Sequence, residues 1–323
     1  MRRSFILDDV SLLQRNYDVD FFIGSGVVDA VRMFVRALRA DVSICWFASV
    51  YSFVVTLSAK LFGKKSIIIV GGADAAAIPE LDYGIWLSTW KSWFLRKALR
   101  WADGIFVVDD RLRESLEHHS RLSLEKAALL PTGYDIEFWR LPESDTVRDG
   151  ILCVASCDSV QRAQVKGIDV FLQVADDLPD LRFTLIGVEQ SFQKRMPFTV
   201  SPNVKLLPSI DRDQLREYYQ RAEIYCQPSR HEGLSNVLCE AMLCGAIPVA
   251  TDVGGTATAV GEFGVVVAPE DFDALRNGIL ASLSLPEETR ENAHQHIAQR
   301  FPKELREQRL MTLMNQMIGK NGA

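Results

Sequence analysis

The chain has 323 residues, more than one hydrophobic core usually serves, so two domains of about 150 residues each are expected. Apolar residues at 48% and charged residues at 24% describe a soluble globular protein. The 36 Lys and Arg against 42 Asp and Glu leave a net charge of −6, which removes any global reason to expect nucleic-acid binding and makes any anion site a local matter.

In the first half, short apolar runs at 4–7, 19–23, 42–47, 66–70 and 104–108 alternate with helical patterns at 8–15, 27–39, 49–62, 85–101 and 111–118. Such alternation predicts a parallel sheet covered by helices on both faces. The opening MRRSFILDD lacks the long apolar core of a signal peptide. Residues 42–62 come closest to a membrane span, but five serines and threonines and Lys60 divide them into a strand and a helix. The six cysteines mostly sit in apolar runs, which suggests a reduced, cytoplasmic setting. Cys153 with Cys157, and Cys239 with Cys244, lack zinc-knuckle spacing and histidine partners, so they are read as buried thiols and no metal is expected.

Two strand ends carry glycines, Gly24-Ser25-Gly26 and Gly71-Gly72-Ala73-Asp74. Ligands of such sheets collect at carboxyl strand ends, which would set the Asp74 carboxylate at the mouth of a cleft. Residues 83–102 then combine Trp86, Trp90, Trp93 and Trp101 with Lys91, Arg96, Lys97 and Arg100, without an acid. A helix of this kind either lies on an anionic membrane or packs its tryptophans on the sheet and leaves its cations in water, the commoner outcome. The polar run 141–150 has the composition of a linker.

The second half opens with a strand at 151–155 and a loop at 156–167 that ends in Arg162 and Lys166, before a helix from 168. Strands at 182–186 and 204–207 follow, ending at Gly187 and before Ile210, then a helix at 214–221 and a strand at 224–227. The stretch 229–252 reads SRHEGLSNVLCEAMLCGAIPVATD, with Glu232 and Glu240 eight positions apart. Ser235 and Asn236 are good helix caps, and Gly245 ends the helical pattern. A helix start offers unpaired N–H groups and a positive dipole end to a phosphate. Gly233 lets a ligand approach the backbone, while Glu240, about 8 Å along the axis from Ser235 at about 1.5 Å per residue, suits the hydroxyls of a ribose. Cations at Arg162 and Lys166 would clamp a diphosphate and stabilise its charge as it leaves. A strand at 247–250, the Gly-rich turn 251–256, a strand at 264–267 and terminal helices complete the chain.

Taken together, Glu232-Gly233, the helix cap, Glu240-Ala241-Met242, Gly245, Pro248-Val249 and Gly254-Gly255 resemble the nucleotide-binding signature of family 4 retaining glycosyltransferases of the GT-B fold. The resemblance implies an α/β chain of two Rossmann-like parallel-sheet domains facing across a cleft. Residues 1–140 would form the acceptor-side domain, 141–150 the linker, 151–300 the nucleotide-sugar domain, and 301–323 a helix that packs back on the first domain. Specific motifs carry it from 150 to 317, including Lys166-Gly167, Phe301 and Arg306; the first 140 residues match loosely, with Thr132-Gly133-Tyr134-Asp135 resembling the family's end-of-domain turn.

By that resemblance Glu240 holds the ribose, and Gly187 and Ile210 lie beside the base. Lys166 and Arg162 hold the diphosphate with N–H groups from Gly233, Leu234, Ser235 and Asn236, while Glu232 orients or stabilises the sugar. Arg162 is an inferred substitute, since Ser156-Cys157 stand where the family's arginine often follows the strand. Asp74 becomes the candidate contact for donor sugar or acceptor, because the histidine common in that loop is missing. The implied reaction is metal-free, retaining transfer of a sugar from a nucleoside diphosphate, UDP ahead of GDP, to a hydroxyl of a glycan or lipid-linked saccharide. No cofactor and no nucleic acid is implied; the setting is cytoplasmic, with 83–102 the candidate contact for anionic membrane. The alternatives are a nucleotide-sugar-binding relative without transfer activity and a sugar-nucleotide epimerase of the same fold.

Overall fold

The computed structural model describes residues 4–125, 127–143 and 146–319. The chain divides into two compact units, Met1–Gly133 with Lys303–Ala323, and Tyr134–Pro302. The first contains, in order, α1 (Ser4–Gln14), α2 (Gly26–Arg39), β1 (Val42–Trp46), α3 (Val50–Leu61), β2 (Lys65–Val70), α4 (Thr89–Trp101), β3 (Gly104–Val107), α5 (Asp110–Ser120) and β4 (Ala128–Leu129). The second begins with β5 (Ile151–Cys157), α6 (Val160–Val165), α7 (Ile168–Asp177), β6 (Phe183–Val188), α8 (Gln190–Gln193), β7 (Val204–Leu207) and α9 (Arg212–Arg221). It continues through β8 (Ile224–Gln227), α10 (Asn236–Leu243), β9 (Ile247–Thr251), α11 (Thr256–Val260), β10 (Val265–Val267), α12 (Phe272–Ser282) and α13 (Glu288–Arg300). The last helix, α14 (Lys303–Ile318), belongs to the first unit.

The sheet of the first unit runs β1-β2-β3-β4, all parallel. Strand β2 shows why: Ile67, Ile68, Ile69 and Val70 are all fully buried, as a strand covered on both faces requires. Ile67 and Ile69, with Phe106, meet Leu12, Leu13, Leu310 and Met314 of α1 and α14. Alternation turns Ile68 and Val70 to the opposite face, the side on which α3 packs. Helix α3 starts at a capping box in which Ser49 Oγ accepts from Ser52 N and Ser49 N donates to Ser52 Oγ.

Two expected strands are absent. Residues 4–7 belong to α1, because Asp9, Leu12 and Leu13 are buried at helical spacing and Asp9 accepts from Arg306 Nε and Nη2 at 2.8 and 2.7 Å. The 19–23 run is as apolar as a strand but pairs with nothing among the described residues, and Phe21 and Ile23 stand exposed. A short apolar run does not by itself supply a neighbouring ladder. The helix expected at 85–101 is interrupted: a 3-10 turn at Ile85–Leu87 precedes α4, whose N-cap is Ser88.

The sheet of the second unit has the order β10-β9-β8-β5-β6-β7, again all parallel. Phe171, Phe183, Leu185, Cys226, Val249 and Ile279 centre its core. Strand β5 lies between β8 and β6, so strand order reverses there, and the carboxyl ends of β5 and β8 frame a crevice at the switch point. Residues 141–150, read above as a linker, fall within this unit, where Arg148 donates to Ala222 O and Cys244 O at 3.1 and 2.9 Å; 144–145 lie outside the described residues. Among the described residues no helix is long and apolar enough to cross a membrane.

Candidate functional site

The loops that leave β5 and β8 are pinned together at the switch point. Gly167 has φ +67°, and a Cβ there would run into the carbonyl oxygen of Pro228, so only glycine lets the two backbones pass. Arg230 N donates to Val165 O at 2.8 Å, and the Arg230 guanidinium holds both oxygens of Asp169 at 2.8 and 2.9 Å. This brings Lys166, the C-cap of α6, over the β8 loop, where its ammonium lies 2.5 Å from Glu232 Oε1.

Behind Glu232 stands a buried polar network that starts at the end of an otherwise apolar strand. Gln227 Nε2 donates to Ser229 Oγ at 2.7 Å and to Glu232 Oε1 at 3.0 Å. Its Oε1 accepts from the hydroxyls of Tyr225 and Ser235, each at 3.0 Å. Ser229 Oγ adds a third donor to Glu232 Oε1 at 2.8 Å, so one carboxylate oxygen is held from three directions. The Gly-rich turn completes the loop: a Cβ on Gly254 would strike Glu232 O, and Gly255 N donates to Gly233 O at 2.8 Å.

Helix α10 begins just beyond. Ser235 is its N-cap residue but makes no side-chain cap, because its hydroxyl is turned to Gln227. The first-turn N–H groups of α10 therefore lack the usual side-chain acceptor, which leaves a positive helix end beside the Lys166 ammonium. An anion with several oxygens suits that arrangement.

A family model described as Glycosyl transferases group 1 matches residues 148–284. LpcC of Rhizobium leguminosarum bv. viciae, a lipopolysaccharide core biosynthesis mannosyltransferase, is 33% identical over 259 residues, which are 72% of this chain and 69% of the relative. The chain belongs to the glycosyl transferases group 1 family. The gpi3 subunit of the Schizosaccharomyces pombe phosphatidylinositol N-acetylglucosaminyltransferase is 28% identical over 163 residues, 47% of this chain but only 34% of that protein. The chain thus spans about a third of that relative's length. Anabaena Alr3699/HepE, solved in complex with UDP, superposes with a TM-score of 0.73 at 17% identity, covering 95% of this chain and 89% of that one. The two parallel-sheet units have the GT-B fold.

In this member of the family the expected site residues are partly gathered. Lys166, Glu232, Gly233, Leu234, Ser235 and Asn236 come together as described, and Tyr134 Oη donates to Asn236 Oδ1 at 3.0 Å. Glu240 sits farther along α10, where its Oε2 accepts from Tyr219 Oη at 3.4 Å. Although Glu240 keeps some accessible surface, desolvation pushes its carboxyl up to about 8, with Arg212 and the Tyr219 hydrogen bond opposing the shift. Arg162 lies one turn before Lys166, exposed and paired with Asp158 at 2.9 Å. Gly187 is accounted for within the sheet, since its φ is +103° and a Cβ would strike Ala155 O. Ile210 is half-buried in the loop before α9.

Asp74 corrects the expectation of a carboxylate at a cleft mouth. It is buried, and its oxygens accept from Gly71 N, Gly72 N and Ala48 N at 3.1, 2.8 and 3.0 Å. Desolvation raises its pKa while these backbone donors lower it. Its place is to shape the turns after β1 and β2 of the first unit.

Sequence reading missed Gln227, Ser229, Tyr219 and the Arg230–Asp169 clamp. A glutamine closing the run Ile224–Gln227 was the available signal, since a buried amide demands partners. Of the three Asp-x-Asp runs, at 18–20, 211–213 and 271–273, the last two begin with helix caps: Asp211 accepts from Gln214 N and Asp271 from Ala274 N, each at 2.8 Å.

Proposed function

We propose that the protein is a retaining hexosyltransferase that moves a sugar from a nucleoside diphosphate, UDP ahead of GDP, to a hydroxyl of a glycan or lipid-linked saccharide without a metal ion. The observation that carries this reading is the Lys166–Glu232 pair beside the uncapped start of α10 at the β5/β8 switch point. A diphosphate seated there meets the lysine ammonium and backbone donors that need no reorganisation as charge develops on the leaving group. Glu232, held by Gln227 and Ser229, faces the sugar with its second oxygen, and Glu240 receives the ribose hydroxyls. Transfer breaks the bond from the anomeric carbon to the diphosphate oxygen and forms one to the acceptor hydroxyl on the same face, its proton passing to the departing diphosphate.

The UDP complex of Anabaena HepE supports uridine as the base, and the names of LpcC and the gpi3 subunit support a lipid-bearing acceptor. All six cysteines are free thiols, five of them buried, which suits a reducing, cytoplasmic setting, and residues 83–102 are the proposed contact with anionic membrane. The test is donor turnover with UDP- and GDP-sugars in the presence of a chelator, with the product anomer read by NMR. Inverted product, or loss of turnover on chelation, would refute the corresponding part. Nucleotide binding with neither hydrolysis nor transfer would leave the non-catalytic binding relative.

A further inference from the structure

Large apolar side chains left in water are scattered singly over the second unit, at Val147, Val160, Val200, Leu280 and Leu283. In the first unit Phe21, Ile23, Leu87 and Leu129 stand apart, and the rest gather on one layer of helices. On α2, Val27 and Val28 are 82% and 65% exposed, and Val31 and Val35 are exposed with them. Helix α3 ends in exposed Leu61 and Phe62, and α4 presents Trp90 and Trp93, 57% and 51% exposed. Helix α2 packs on α3 and α3 on α4, so these side chains belong to one surface.

The orientation of α2 is fixed from its inner side. Ala37 is buried, Ser58 Oγ donates to Phe34 O at 2.9 Å, and the Phe34 ring lies 6.4 Å from that of Phe62. At about 100° per residue, the four valines cover about 100° of the helix circumference and Arg39, Arg32 and Arg36 cover about the next 80°. All seven are exposed. The outer face of α2 is thus an apolar stripe bordered by guanidinium groups. Helix α4 repeats the pattern, with Lys91 Nζ 5.6 Å from the Trp90 ring and Lys97 Nζ 5.6 Å from the Trp93 ring. Helices α2, α3 and α4 carry eight Lys and Arg against one acid, Asp29, in a chain of net charge −6.

We propose that the outer face of α2, α3 and α4 docks the first unit onto an anionic lipid bilayer. Valines and tryptophans enter the boundary between head groups and acyl chains, while the bordering cations meet lipid phosphates. Arg32 and Arg36 are exposed in their pairs with Asp29 and Asp20, so each guanidinium exchanges readily for phosphate. A second copy of the chain fits the face poorly, because it would set two strongly cationic surfaces against each other. This surface lies outside the donor site and extends the membrane contact from 83–102 to α2 and α3.

The test is flotation of the full chain with phosphatidylcholine vesicles, with and without phosphatidylglycerol, at several salt concentrations. The wild type is expected to float only with the anionic vesicles and less so as salt rises. The Val28→Asp/Val31→Asp variant should lose at least about tenfold in vesicle affinity, and Lys91→Ser/Arg100→Ser should flatten the salt dependence, both keeping the wild-type unfolding midpoint. Equal binding to neutral vesicles, no binding, or undiminished binding of the valine variant would overturn the proposal. So would a wild-type dimer that the valine variant dissociates, which would make the occupant a second copy. Because the readout is vesicle binding, it stands or falls separately from donor turnover.

Discussion

The ammonium of Lys166 and the carboxylate of Glu232 lie 2.5 Å apart although 66 residues separate them in the chain. Each holds the other in the half-buried crevice, and each has a task only when a ligand arrives. On the proposed reading a diphosphate would compete with Glu232 for the ammonium, so binding the donor would release the carboxylate toward the sugar.

Lys166→Ala is therefore expected to lower kcat by about 10²- to 10³-fold, the range for removing one donor to a developing charge. Arg162→Ala, which removes an exposed cation already paired with Asp158, should cost much less. Steady-state kinetics on donor consumption would measure both, and a Lys166→Ala enzyme within a few fold of wild type would sink the assignment.

Gln227→Leu keeps the size of the side chain but leaves the Ser235 hydroxyl and one contact of Glu232 unmet and the Tyr225 hydroxyl with only Val154 O at 3.5 Å. The expected stability loss is about 1–3 kcal/mol, that of an unsatisfied buried polar group. Activity should fall further than that loss explains, because Glu232 loses its orientation. Urea unfolding beside kcat separates the two, and an unchanged kcat in a fully folded variant would mean that Gln227 only packs.

The raised pKa of Glu240 sets a pH dependence. Its folded value of about 8 lies above the usual carboxylate range, so the fold favours the protonated form. The corresponding stability is fully present below about 4.5 and is lost as pH rises through about 8, with a slope approaching 1.4 kcal/mol per pH unit between them. Glu240→Gln, neutral at every pH, should remove this component. Between pH 6 and 9 its unfolding midpoint should fall less than that of wild type, and parallel curves would refute the shift.

At Gly167 a methyl group would meet both a left-handed backbone and the Pro228 carbonyl. Gly167→Ala should cost more than about 1 kcal/mol, the loss expected where the native conformation is incompatible with a side chain. It should also weaken nucleotide binding by pushing Lys166 away from Glu232. A thermal shift by UDP equal to that of wild type would show that the loops tolerate separation.

The buried strands of the second unit were legible because fully covered β-strands leave short, largely apolar runs, as at 224–227 and 247–250. Lys166-Gly167 and the Glu232-Gly233 pair were legible because close backbone approach and a helix start leave marks in residue type. The start of α1 was misread because Ser4–Leu7 is as apolar as a strand, and the Arg306 that anchors Asp9 lies 297 residues away. The burial of Asp74 was not legible because a carboxylate after a Gly-Gly turn faces a cleft or its own backbone equally well, and Ala48, whose N–H it accepts, lies 26 residues away. Gln227 stayed hidden because its partners are distributed over a loop whose path the sequence does not reveal.

The reversal of strand order at β5 makes the second unit a seam between two ribbons, β5-β6-β7 on one side and β8-β9-β10 on the other. Lys166 is carried by the first ribbon, and Glu232 with the start of α10 by the second. A nucleotide bound to both acts as a rivet across that seam. Its protection against hydrogen exchange should therefore reach strands on either side, far from any atom it touches, and opening of the seam should set the rate at which a bound nucleotide escapes.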